Sequence, residues 1–425
     1  MNSPSAGPQQ AAGPSRLRRE GAFGGPTRSR SVVTLLFTVS SLAACGRSEL
    51  RRPRADASAV DDARDATADS PIDAPSCTWR GFPAQHIGPG DGATLDTAVS
   101  TATSVLIGFE FVNGTDLANG ISAVDANGAV IRDFETLRPF QTPWRTAPVY
   151  IAASNDGRIA AVTSLGGCDY FVLDASGRAT RPTVEFSDLF CSDAEPVPTG
   201  WTVFSGGPDP TTASFVTITN DGMPRFRSGE SLYPGEARWD TPRAPFADGS
   251  TLMGATRLTD HAIVVRHISP EGLVLSRQEI ARTGRNFADA LIAHEDGAFD
   301  VHLGSDTMAG SDARVRFVRL DRDGVPSGPP TEIPGSDVLS ESEFAATITR
   351  GELWIAYVPN RTDAMGVSPI VVQRVSLDGE ILGDPFEVAR ATRPHVRIAA
   401  TNEGAILAYQ VGAPSALFAV PILCR

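Results

Sequence analysis

The chain has 425 residues, with 37 basic side chains against 50 acidic ones for a formal net charge of −13, and every basic side chain is arginine. The absence of lysine excludes Schiff-base and pyridoxal catalysis, the phosphate loop ending in Gly-Lys and the Ser-Lys dyad, while the acidic balance argues against nucleic acid as a partner. A hydrophobic content of 41% suffices for a buried core, and 40 glycines with 32 prolines favour turns over long helices.

In chain order, the first readable segment is an export signal. Arg28 and Arg30 precede the uncharged run 32–44, which is shorter than the roughly 20 helical residues a bilayer needs and suits a signal-peptide core. It ends Leu42-Ala43-Ala44-Cys45-Gly46, which resembles the lipobox of bacterial lipoproteins. The resemblance implies that residues 1–45 are a signal peptide with a lipobox, that Cys45 is the lipid-attachment residue, carrying palmitate or a similar chain, and that a lipid anchor holds the protein to the membrane. Gly46 in place of Asp implies the outer membrane, facing periplasm or cell surface.

Residues 46–76 hold no aromatic side chain, and from Ala55 to Ser76 six Asp stand against one Arg. Such a segment buries too little apolar surface to offset its ordering entropy, so it reads as a disordered Asp/Ala-rich tether with a reach of roughly 30 Å.

Residues 77–425 carry a period. One family of turns is Asn127-Gly128, Ser176-Gly177, Asp221-Gly222, Glu271-Gly272, Asp323-Gly324 and Asp378-Gly379; a second, out of phase with it, is Asp156-Gly157, Thr199-Gly200, Asp248-Gly249, Asp296-Gly297, Arg350-Gly351 and Glu403-Gly404. Glycines in these turns supply the positive φ of tight hairpins. Between them lie short alternating runs such as 159–162, 215–219, 262–268, 315–320 and 353–358, so each unit reads as four antiparallel strands in about 50 residues, the size of a propeller blade. The expected fold is therefore all-β, a seven-bladed β-propeller.

The seventh unit ends after its third strand, 417–423, and residues 79–87 resemble the fourth strands of other units, as in 380–388. The N-terminal strand is thus expected to close the ring, as in known β-propellers, leaving no open edge. Beyond Cys45 the cysteines are Cys77, Cys168, Cys191 and Cys424, an even number in an exported chain. A Cys77–Cys424 disulfide would flank the place where the other units have their turn, which leaves Cys168 to pair with Cys191.

Both turn families fall on one rim, where their uniformity reads as structural. The other rim carries the links between units, which bear Arg138, Arg145, Arg238, Arg243, Arg282, Arg285, Arg390, Arg393 and Arg397, accompanied by Phe140, Trp144, Tyr233, Trp239 and Phe287. This rim is the candidate binding surface, since guanidinium groups bind carboxylate, phosphate or sulfate and aromatics stack on sugar or peptide; the competing reading pairs each arginine with an acid of the neighbouring unit.

No metal or cofactor is expected. The six histidines are scattered apart from His261 and His267, and Asp321-Arg-Asp323-Gly324 is half a calcium loop lying on the repeated turn. Asp306 and Asp312 remain loop acids of little weight. The run Ser154-Asn-Asp-Gly-Arg-Ile-Ala resembles repeats of TolB-like propellers over seven residues; sialidase boxes, tryptophan-aspartate signatures and kelch patterns are absent.

The reading is a monomeric, non-enzymatic, membrane-anchored scaffold for a protein or glycan ligand. Its competitors are a glycan hydrolase or lyase using the arginine rim, and a structural member of an envelope complex.

Overall fold

The computed structural model describes residues 84–423, apart from short stretches of which 140–147, 207–212 and 228–241 are the longest. Cys45, Cys77, Cys424 and the tether lie outside the described residues, and so does the Cys77–Cys424 pairing.

Among the described residues the regular structure is β, in seven four-stranded antiparallel sheets. Six of them follow chain order within 94–139, 149–186, 190–227, 243–281, 285–337 and 344–391, here called sheets one to six. Sheet seven joins the three strands of 396–423 to Gln85–Ile87, which pairs with Ala416–Leu423 in the register Gln85 to Ala419 and Ile87 to Leu417. First strands of neighbouring sheets pack together: Thr94–Ser100 touches both Val149–Ala153 of sheet two and Val396–Thr401 of sheet seven. The fold is a β-propeller.

Position within a sheet decides its chemistry. Gly297–Ser305, a second strand, is buried at every position because sheets flank it on both faces. Phe299, Val301 and Leu303 pack toward sheet six against Leu353, Ile355 and Tyr357, whereas Ala298 points toward Leu252, Ile263 and Val265 of sheet four. The fourth strands need no such continuity: Ile381–Ala391 of sheet six is half-buried or exposed along most of its length.

The first turn family is built differently from the two-residue hairpins expected. The Asp125 carboxylate accepts the N–H groups of Asn127 (2.9 Å) and Ala129 (2.8 Å), and its carbonyl accepts that of Gly128 (3.0 Å). Asp174 and Asp321 repeat the arrangement, and Ser269 substitutes a hydroxyl for the carboxylate. Only the glycine takes positive φ, as at Gly128 (81°) and Gly324 (79°), which marks three-residue loops with a glycine bulge. In the second family, Arg350 (53°) and Gly351 (74°) both take positive φ, the two-residue form.

Cys168 opens the third strand of sheet two, Cys191 lies in the first strand of sheet three, and they form a disulfide with Cα atoms 5.2 Å apart. It fastens two neighbouring sheets across a buried cluster that includes Tyr170 and Trp201.

Candidate functional site

Three link-rim arginines have described side chains, and protein groups surround each. Arg243 is buried at the start of the first strand of sheet four. Arg390 grips the Glu387 carboxylate through Nε (2.7 Å) and Nη2 (2.9 Å), and that carboxylate raises its pKa above the ordinary guanidinium value. Arg397, on the first strand of sheet seven, donates from Nε to the Asp96 carbonyl (2.7 Å) and from Nη1 to the Val396 carbonyl (2.8 Å).

Asp96 is a junction that sequence reasoning missed. It sits at a bulge between Leu95 and Thr97 on the first strand of sheet one. Its carboxylate accepts the Val149 N–H of sheet two (3.1 Å) while its carbonyl holds Arg397 of sheet seven. A bulge re-aims a side chain out of the pleat, here toward a neighbouring sheet. An aspartate within a first strand was its only trace in sequence.

Arg138 ends the fourth strand of sheet one and Arg285 opens the first strand of sheet five, so both belong to the link rim; their side chains lie outside the described residues. Trp144, Arg145, Arg238, Trp239, Arg282 and Arg393 lie outside them entirely, as do Phe140, Tyr233 and Asp312. Asp306 pairs with Arg316 at 2.7 Å.

The opposite rim holds a cavity of about 410 Å³. Three turns between first and second strands form it, residues 100–104 of sheet one, 348–350 of sheet six and 400–402 of sheet seven, with Ala126 beside them. Hydroxyl groups fasten its walls: Ser100 donates to the Ala400 carbonyl, Ser104 to the Ala175 carbonyl of sheet two, and Thr349 to the carbonyls of Thr401 (3.2 Å) and Gly404 (2.5 Å). Within the first turn, Thr101 Oγ1 accepts the Ser104 N–H at 3.0 Å. Two of these turns, next to Gly351 and Gly404, belong to the family read as structural in sequence and therefore also enclose space, whereas for 100–104, which lies outside both turn families, the excess of Ser and Thr was the available signal.

A second polar feature is internal. His302 Nδ1 and Asp300 Oδ2 lie 2.6 Å apart, both side chains fully buried on the second strand of sheet five. Among the described residues, Asp300 Oδ1 and His302 Nε2 find no hydrogen-bond partner. The pair is sealed from solvent, so its role is internal to the packing. Among the described residues no three His, Cys, Asp or Glu side chains come together as a metal site would require.

No protein-family model matches the chain, and no curated protein matches it. Among solved structures it is similar to the Dos1 propeller, with a TM-score of 0.47 and 9% identity over 81% of this chain and 95% of that one. It is also similar to the WD40 β-propeller domain of Doa1 (TM-score 0.47, 8% identity, 79% of this chain and 96% of that one). BamB from Moraxella catarrhalis gives a TM-score of 0.38 and 13% identity over 79% of this chain and 99% of that one. At such identities the likeness extends to the fold alone.

Proposed function

We propose that the protein is a lipoprotein of the cell envelope whose seven-bladed propeller serves, without catalysis, as a scaffold for a protein or glycan ligand on its link rim. The observation that carries the reading is the pairing of Gln85–Ile87 with Ala416–Leu423, which ties the N-terminal strand into the last sheet of the propeller and leaves the links as loops between its sheets. The lipobox ending at Cys45 supports the anchor.

Two measurements test it. Labelled palmitate enters the wild type and is lost in Cys45→Ser. Capture of an envelope protein or glycan by the immobilised protein is lost when Arg145 and Arg393 are changed to Glu. Turnover of a glycan that a single acid or tyrosine substitution abolishes would reject the non-enzymatic part.

One observation favours the envelope-complex reading: Leu273, Val274 and Leu275 form an exposed run (65, 48 and 56%) beginning the outer strand of sheet four. Exposed apolar side chains adjacent on an edge strand suit a partner's surface. Under that reading, Leu273→Asp with Leu275→Asp releases the protein from a high-mass envelope fraction on a sizing column.

A further inference from the structure

We propose that the outer edge of sheet four docks a second copy of this chain, the two copies lying antiparallel about a two-fold axis at Val274. This replaces the monomer expected from the sequence and depends on neither the lipid anchor nor a link-rim ligand. Val274–Ala281 is the last strand of its sheet, so among the described residues its outer edge has no ladder partner.

Sheet edges are ordinarily blunted by shortness, proline or charge. The fourth strands of sheets two and seven have only three residues each, and those of sheets three, five and six contain Pro224, Pro334 and Pro385. That of sheet one reaches Arg132 and Asp133 directly after Val130 and Ile131. The strand of sheet four runs eight residues without proline or glycine, and its first charge is Arg277.

The residues around the exposed run select the occupant. Glu271-Gly272-Leu273-Val274-Leu275-Ser276-Arg277 is symmetric in size about Val274 and antisymmetric in charge. An antiparallel copy centred there sets Val274 against its own counterpart, Leu273 against Leu275, Gly272 against Ser276 and Glu271 against Arg277, each of the last three twice. The two charged residues and the three apolar ones are all exposed. Leu275 is also the extra residue of a bulge opposite His267 and Ile268, which breaks the regular pleat at the patch. Parallel copies in register would bring like charges together, whereas the two-fold arrangement opposes unlike ones across an apolar centre. The charge pairing requires only that both side chains reach solvent. With three large apolar side chains per copy the contact is small, so association is weak and reversible.

Sedimentation velocity of the purified full chain in detergent, with micelles in excess over protein, tests the assignment. The wild type is expected to dimerise with a Kd of about 100 μM or tighter. Glu271→Arg alone and Arg277→Glu alone, both at exposed positions that tolerate substitution, should each weaken the dimer about tenfold or more, because every dimer then opposes two like-charged pairs. An equal mixture of the two variants should regain dimers, since each mixed pair opposes unlike charges at both ends, and the double variant should regain them by itself. A misfolded variant would give neither recovery. A chain that remains monomeric at about 500 μM, the result expected if only a different envelope protein occupies the edge, would overturn the proposal. So would dimers that ignore both single reversals, or a mixture no more associated than its components.

Discussion

Gly297, Gly404 and Gly200 each open the second strand of a sheet with φ between 156° and 159°. At Gly297 an added Cβ would lie 2.0 Å from the Leu320 carbonyl oxygen, and at Gly404 it would lie 2.0 Å from that of Ile422. Neither oxygen can retreat, because each belongs to the adjoining strand of the ladder. Gly297→Ala should therefore lower unfolding free energy by about 1–3 kcal/mol in urea titration. Gly157, whose added Cβ meets nothing within 4 Å, should tolerate the same change with a smaller loss.

The aspartates that brace the turns make a prediction of opposite character, one of pH. Burial works to raise the Asp174 carboxyl, but hydrogen bonds from the Ser176 hydroxyl and from the N–H groups of Arg178 and Ser176 outweigh it, so its pKa lies below the ordinary 3.8. A carboxyl with a depressed pKa in the folded state contributes fully above its unfolded value, and the contribution is lost as pH falls through the folded one. The wild type should consequently lose more stability than Asp174→Asn on moving from about pH 5 to below 3. Parallel curves for the two proteins would assign the brace no electrostatic role.

Among elements, the Cys168–Cys191 disulfide spans a sequence separation of 23 residues and joins sheets two and three. Replacing both cysteines by alanine should reduce unfolding free energy by about 3 kcal/mol, the chain-entropy value for a loop of this size. The turn and strand pattern was legible in sequence because glycine bulges and β-branched strands leave local marks. The form of the first-family turns was also legible, in the Asp or Ser three residues before the glycine, as in Asp125 to Gly128 and Ser376 to Gly379. The residue just before the glycine carries no such mark, because the brace is set by the side chain two places earlier, as at Asp125. Cavity and junction were not legible: Ser100 reaches Ala400 across 300 residues, and Arg397 reaches Asp96 across 301. Contacts at that separation depend on ring closure and have no local signature.

At the scale of the whole molecule, closure rests on a short strand. Ile87 is fully buried, pairs with Leu417, and joins the cluster of Phe109, Leu95 and Ile406 from sheets one and seven. If the ring unfolds as one unit, a cavity made at this joint lowers global stability as much as one made inside a sheet, since no partly open state is stable enough to absorb the loss. Ile87→Ala should then cost about 2–5 kcal/mol, matching Leu353→Ala at the equally buried Leu353 of sheet six, with an unchanged denaturant slope. If the closing strand instead detaches independently, Ile87→Ala leaves the global midpoint in place and speeds hydrogen exchange only in Gln85–Ile87 and Ala416–Leu423.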